Sequence, residues 1–144
     1  MQILQWEDEL ALDEKPQKQI ESLSKDRKKI LIVDDDQTIL YLLRKIFMGR
    51  GFQISVAKDG LEAIERLRAE RPDLVITDLK TPSLSGGDLI SSIRRAQSNL
   101  PIIVMTAYSN LYPEKKEDKD IKAYFRKPFD INEMISSVQK ILPE

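Results

Sequence analysis

Short apolar runs alternate with amphipathic stretches along this chain, and this alternation restricts its possible folds more than any other feature. Five apolar runs have the length of β-strands: KILIV (29–33), FQISVA (52–57), DLVIT (73–77), PIIVM (101–105) and KAYFR (122–126). Helical periodicity separates or follows most of them. Because parallel neighbouring strands need crossover connections, the sequence predicts an α/β fold with a sheet of five parallel strands and helices on both faces.

The predicted helices carry apolar residues spaced three or four positions apart. These positions are Ile39, Leu42, Leu43, Ile46 and Phe47, then Leu61, Ile64 and Leu67, then Leu89, Ile90 and Ile93, and finally Ile131, Met134, Ile135, Val138 and Leu142. Residues 110–120 break this pattern, because seven consecutive charged residues follow Pro113 without an apolar stripe. We expect a short or mobile element there, and Pro113 is suited to the first position of a short helix.

Composition excludes several kinds of chemistry. The formal net charge of −1 gives no general attraction to nucleic acid or to membranes, so neither is an expected partner. The chain contains no cysteine and no histidine, which excludes disulfides, thiolate metal sites and imidazole as a base or phosphoryl carrier. No apolar run approaches the roughly 18 residues of a membrane span, and no export signal is visible, so a cytoplasmic location is expected.

Polar residues with complementary chemistry follow four of the predicted strands. The first strand is followed by Asp34, Asp35 and Asp36, and the third by Asp78. Thr106 follows the fourth strand and Lys127 follows the fifth. Ligands of open α/β sheets bind at the carboxyl ends of the strands, so these side chains are expected to meet at one edge.

Each of these residues also has an ordinary structural explanation. Asp36 suits the N-cap of the following helix, Thr106 suits a turn, and Lys127 suits a solvated surface position. Three adjacent carboxylates repel one another unless a cation lies nearby, which favours a cation site at Asp34 and Asp35. Four strand ends with complementary groups are much harder to explain by capping and turns alone.

The motifs ILIVDDD, PDLVITDLKTPSLSGGDLI, PIIVMTAYS and AYFRKPFD occur here in the order and with the spacing of a known family. From about Lys29 to Leu142 the chain resembles the receiver domain of two-component response regulators. The resemblance implies a flavodoxin-like, doubly wound fold in which Asp78 accepts a phosphoryl group from a histidine kinase or a histidine phosphotransfer protein. It further implies Mg²⁺ bound by Asp35, by Asp34 directly or through water, and by the backbone carbonyl of Lys80, with Asp78 at the same site.

Phosphoryl transfer to a carboxylate brings two anions together, and a divalent cation that bridges oxygens of the acceptor and the donor removes most of the repulsion. Lys127 can pair with one phosphoryl oxygen and the Thr106 hydroxyl can donate to another, with the backbone N–H groups of Leu79 and Ala107 as further donors. Tyr124 matches the family's aromatic switch position, although a half-buried strand tyrosine is an equally good explanation. The expected role is a phosphoacceptor that assists its own phosphorylation and dephosphorylation, not an enzyme acting on other substrates.

Two alternatives remain open at this stage. The stretch VDDDQTIL also fits the DxDxT pattern of haloacid dehalogenase phosphatases, with Asp34 as nucleophile and Asp36 as acid/base. That reading gives no role to Asp78, and it lacks the further acidic pair that the superfamily needs beyond the lysine. The other alternative is a receiver-like scaffold that works without phosphorylation, although no acid, threonine or lysine of the motif is missing.

Residues 1–28 lie outside the resemblance and are predicted to be a separate extension before a receiver domain at 29–144. The first 14 residues contain five acids and no base, and Ile3, Trp6 and Leu10 fall at helical spacing. This extension is predicted to be either a flexible tail or a docking helix. Output is expected through a protein partner, or through further domains if the chain is part of a longer regulator, with a monomer or a phosphorylation-dependent dimer as the working state.

Overall fold

The computed structural model describes residues 27–81, 84–107 and 119–143, the side chains of residues 81 and 84–87 excepted. The predictions for the N-terminal extension and for the charged segment after Pro113 fall almost entirely outside these ranges. Among the helices that the structure describes, none has the length and hydrophobicity needed to cross a bilayer.

Strands and helices alternate in the order that the sequence predicts. The strands are β1 (Lys29–Val33), β2 (Gln53–Ala57), β3 (Leu74–Asp78), β4 (Lys80–Thr81), β5 (Leu84–Ser85), β6 (Ile102–Thr106) and β7 (Ile121–Arg126). The helices are α1 (Gln37–Met48), α2 (Gly60–Glu70), α3 (Gly86–Ala96) and α4 (Ile131–Ile141). The two-residue strands β4 and β5 pair antiparallel with each other and were not predicted from the sequence.

The main sheet has five parallel strands in the order β2-β1-β3-β6-β7. Counted by chain order within this sheet, the arrangement is 2-1-3-4-5, which is the doubly wound, flavodoxin-like order. The predicted fold class is therefore confirmed. The strand order reverses between β1 and β3, and a crevice opens at such a switch point.

Two apolar clusters cover the two faces of the sheet, and the alternation of side chains along each strand explains them. In β1, Ile30 and Ile32 enter a cluster with residues of α1 and α4, whereas Leu31 and Val33 enter a second cluster with residues of α2 and α3. All five residues of β3 are buried, as expected for a central strand covered on both faces.

Aspartates start three of the helices. Asp36, Asp59 and Asp130 occupy the N-cap positions of α1, α2 and α4, and each side chain accepts a hydrogen bond from a backbone N–H of the first turn. The predicted capping role of Asp36 is therefore confirmed. Asp73, which the sequence placed in the third strand, lies just before β3, and its carboxylate accepts the Lys29 backbone N–H at 2.8 Å.

Candidate phosphoacceptor site

Hydrogen bonds position Asp34 at the carboxyl end of β1. Its backbone N–H donates to the Ala57 carbonyl at 3.1 Å, which continues the pairing with β2 beyond the end of β1. Its carboxylate is fully buried, and Oδ1 accepts the backbone N–H of Asp36 at 2.9 Å. Asp35, between them, is exposed to solvent.

Asp78 ends β3, directly across the switch point from Asp34. The residue is 6% exposed, and its Oδ1 accepts the Lys80 backbone N–H at 3.0 Å. The short strand β4 starts at Lys80, so the turn after β3 also positions this donor. One carboxylate oxygen of Asp78 thus faces the following loop, and the other is left to face the crevice.

Lys127 joins the two buried aspartates. Its Nζ donates to Oδ2 of Asp34 and to Oδ2 of Asp78, at 2.7 Å in both cases, while its side chain is only 16% exposed. The Lys127 backbone N–H donates to the Thr106 carbonyl at 2.8 Å, which extends the β6–β7 pairing and brings the lysine over the site. The bond between Lys127 and Pro128 is cis.

Burial and pairing act against each other on the titration of this cluster. Burial raises the pKa of Asp34 above its ordinary value of 3.8, although hydrogen bonds from Lys127 and from the Asp36 backbone partly lower it. Burial alone would lower the pKa of Lys127, but its hydrogen bonds to Asp34 and Asp78 outweigh this effect and raise the pKa above 10.5. The ammonium therefore keeps its proton, and it offsets the repulsion between the two carboxylates.

Asp34, Asp35 and Asp78 each place one carboxylate oxygen within 4.8 Å of the other two. Oxygens bound to one octahedral Mg²⁺ lie about 3 Å apart when adjacent and about 4.2 Å apart when opposite, so the three carboxylates are close enough to be ligands of a single ion. Oxygen donors with one exposed side chain and access to water are also the chemistry that Mg²⁺ prefers. The donor set therefore fits the predicted cation.

Thr106 and Tyr124 lie beside this cluster on neighbouring strands. Thr106 ends β6 and is 7% exposed, so its side chain is largely enclosed at the same edge as Asp78. Tyr124 pairs in register with Val104, two residues before Thr106, and its side chain is 43% exposed. The structure thus places Asp34, Asp78, Thr106 and Lys127 at one edge of the main sheet, whereas Tyr124 lies two residues further back along β7.

The sequence analysis missed the backbone donors that orient the carboxylates. The N–H groups of Asp36 and Lys80 each bind an aspartate two residues earlier, which is the geometry of an Asx-turn. An aspartate at a strand end followed by a turn is the signal that would have predicted them. The sequence also did not predict that Lys127 contacts both Asp34 and Asp78.

Comparison with known proteins agrees with this geometry. The sequence model described as "Response regulator receiver domain" matches residues 30–139. The chain is 41% identical over 117 residues to sporulation initiation phosphotransferase F of Bacillus subtilis (strain 168), covering 80% of this chain and 94% of that protein. It is 31% identical to the DNA-binding transcriptional regulator NtrC of Escherichia coli (strain K12), covering 78% of this chain but only 24% of NtrC.

Among solved structures, the response regulator TrrA of Thermotoga maritima in complex with Mg²⁺-BeF is similar, with a TM-score of 0.71 and 34% identity. The match covers 80% of this chain and 99% of that one. The chain belongs to the response regulator receiver domain family. It is a receiver domain of two-component signal transduction, so the predicted family and function are confirmed and the phosphatase alternative is not supported.

Proposed function

We propose that Asp78 accepts a phosphoryl group from a phosphohistidine of a histidine kinase or a histidine phosphotransfer protein, and that this change switches the binding of a protein partner. The observation that carries the proposal is the Lys127 ammonium bound at 2.7 Å to both Asp34 and Asp78, with Asp35 beside them. A phosphohistidine donor must lie outside this sequence, because the sequence has no histidine. The name of the B. subtilis relative, a phosphotransferase, also supports phosphoryl transfer.

The two oxygens of Asp78 have different surroundings. Oδ1 is held by the Lys80 N–H, whereas Oδ2 faces the crevice and accepts a hydrogen bond from the Lys127 ammonium, a flexible side chain that can exchange this partner for a phosphoryl oxygen. In the transfer, an Asp78 oxygen forms a bond to phosphorus, the phosphorus–nitrogen bond of the donor breaks, and its electron pair returns to the imidazole. The geometry thus favours attack by Oδ2.

The acidic cluster is the proposed Mg²⁺ site. Asp34, Asp35 and Asp78 supply carboxylate oxygens, and the Lys80 carbonyl is the fourth proposed ligand. Bound Mg²⁺ supplies positive charge that offsets the repulsion between the carboxylate and the phosphoryl oxygens. Lys127, which bridges Asp34 and Asp78, would be the cation of this chain that turns toward an incoming phosphoryl oxygen.

The phosphorylated state gives Lys127 and Thr106 a new anionic partner. A charge-assisted hydrogen bond to a phosphoryl oxygen stabilises the inward position of each side chain by roughly 1.5–3 kcal/mol. Movement of Thr106 toward the phosphoryl group leaves space beside β6, which Tyr124 on the adjacent strand is placed to fill. We propose this exchange as the switch, acting in a cytoplasmic protein as a monomer or a phosphorylation-dependent dimer.

Incubation with acetyl phosphate and Mg²⁺, followed by mass spectrometry, tests the acceptor. We expect an adduct of one phosphoryl group on the wild type, its loss in Asp78→Asn, and its retention in the matched variant Asp36→Asn, whose asparagine still caps α1. An adduct that persists in Asp78→Asn and is lost in Asp34→Asn would instead favour the phosphatase mechanism. Absence of both the adduct and a spectral response to beryllofluoride with Mg²⁺ would favour a phosphorylation-independent scaffold.

A further inference from the structure

A groove of about 440 Å³ runs along the outer edge of the sheet, and none of the phosphoacceptor-site residues lines it. Strand β2 forms its floor, and side chains of α1 and α2 form its two walls. We call it the β2 groove. Its lining residues are Lys29, Arg44, Gln53, Ile54, Ser55, Val56, Arg66 and Glu70.

The β2 groove carries an excess of positive charge. Three of its lining residues are basic and one is acidic, which leaves a formal charge of +2. Lys29 already donates to the Glu70 carbonyl at 3.3 Å. The exposed guanidinium groups of Arg44 and Arg66, on opposite walls, have no ion-pair or hydrogen-bond partner within the described parts of the chain.

The floor of the β2 groove offers backbone groups and apolar surface. Among the described strands β2 has a single neighbour, β1, so its other edge is not paired. The Gln53 N–H and the Ala57 carbonyl point toward β1. Since successive residues alternate in direction, Ile54 and Val56 present their N–H and carbonyl groups to the groove. Their side chains are half-buried against the α1 face of the core.

From these features we infer that the acidic segment of this chain at residues 1–14 binds in the β2 groove of the same molecule. Its five acids and absence of bases complement Arg44 and Arg66, and Ile3, Trp6 and Leu10 supply apolar side chains for the exposed parts of Ile54 and Val56. An unpaired strand edge flanked by helices is a common docking place for a peptide segment.

The connection between segment and groove is long enough for this contact. Residues 15–28 join the acidic segment to Lys29, which itself lines the β2 groove. Fourteen residues span up to roughly 45–50 Å when extended, more than the length of the five-residue strand β2. Because the contact is intramolecular, it avoids the entropy cost of bringing two molecules together.

A spin label tests the contact directly, since the absence of cysteine allows a single site to be introduced by Gln5→Cys. In the full-length protein labelled at residue 5, we expect the amide resonances of Ile54 and Val56 to lose most of their intensity through paramagnetic relaxation. Ala123, on the opposite edge strand β7, is the internal reference and should keep its intensity. Full intensity at Ile54 and Val56 would overturn the inference.

Charge reversal tests the chemistry of the contact. The double variant Arg44→Glu/Arg66→Glu should restore the Ile54 and Val56 signals, and 1 M salt should weaken the contact in the unmodified groove. Lys140→Glu, which reverses a charge in the last turn of α4, is the matched control and should change nothing. Broadening that persists in the double variant would show that these arginines do not hold the segment.

A mixture of two proteins distinguishes binding within one molecule from binding between two molecules. One protein is enriched in ¹⁵N and carries no spin label, and the other carries the spin label and contains ¹⁴N. We expect no broadening of Ile54 and Val56 in this mixture, because each groove is filled by its own segment. If the broadening were as large as in the protein that carries both ¹⁵N and the spin label, the groove would bind the segment of a second copy, and the inference would be wrong.

Discussion

Lys127→Met removes the cation between two buried carboxylates while keeping most of the side-chain volume. Breaking a buried ion pair by deleting one partner costs about 3–5 kcal/mol, because the remaining charge stays uncompensated. Asp34 is fully buried, but the Lys127 side chain is 16% exposed and so reaches some water. Because of this partial exposure we take the lower end and expect a loss of about 3 kcal/mol in the free energy of unfolding at pH 7.

Urea unfolding followed by circular dichroism, with EDTA present, measures this loss. With a denaturant slope of about 1–3 kcal/mol/M, the midpoint should fall by about 1–3 M. Lys122→Met is the matched control, because Lys122 is 43% exposed and lies 3.6 Å from Asp120, and its loss should stay within about 1 kcal/mol. The double variant Asp34→Asn/Lys127→Met should recover part of the lost stability, since less buried charge is left without a partner.

The effect of pH follows from the raised pKa of Asp34. The pKa of this carboxyl is higher in the folded state than its unfolded value of 3.8. The free energy of unfolding therefore falls as the pH rises from the unfolded pKa to the folded pKa. The hydrogen bond from Lys127 is the strongest influence that lowers the pKa of Asp34. Its removal in Lys127→Met should therefore increase the difference between the folded and unfolded pKa values. The stability difference between wild type and variant should therefore shrink as the pH falls from 7 toward 4. A difference that stays constant over this range, or a loss no larger than that of Lys122→Met, would refute the argument.

Three further predictions concern the other parts of the site. Asp35→Asn should weaken Mg²⁺ binding in a nuclear magnetic resonance titration, and it should leave the urea midpoint unchanged because Asp35 is exposed. An unchanged Mg²⁺ affinity would show that Asp35 is not a ligand. Asp36→Ala should lower the free energy of unfolding by about 1 kcal/mol through loss of the α1 N-cap, without altering Mg²⁺ affinity; a weaker Mg²⁺ affinity would contradict its purely capping role. Beryllofluoride with Mg²⁺ should change amide hydrogen exchange between Thr106 and Arg126, and equal exchange with and without the bound analogue would exclude this face as the switch.

The sequence by itself was sufficient to predict the class of fold and which candidate residues follow the strands at one edge of the sheet. Strand-length apolar runs alternating with helical periodicity allow few arrangements other than a parallel sheet covered by helices, since parallel strands need crossovers. The carboxyl ends of such strands share one edge, so the positions of Asp34, Asp78, Thr106 and Lys127 followed from counting along the chain. Each strand, each helix and each residue at a strand end is a local pattern, so it can be recognised in the sequence without knowledge of the tertiary contacts.

Only the tertiary structure decided which of these groups touch. Lys127 lies 93 residues from Asp34 and 49 from Asp78, and whether its ammonium reaches both depends on the strand order and on the angle at which β7 ends. The backbone N–H groups that orient the two carboxylates likewise depend on the turns after β1 and β3. The β2 groove is invisible in the sequence for the same reason, because Arg44 and Arg66 face each other only after α1 and α2 pack on opposite faces of an edge strand.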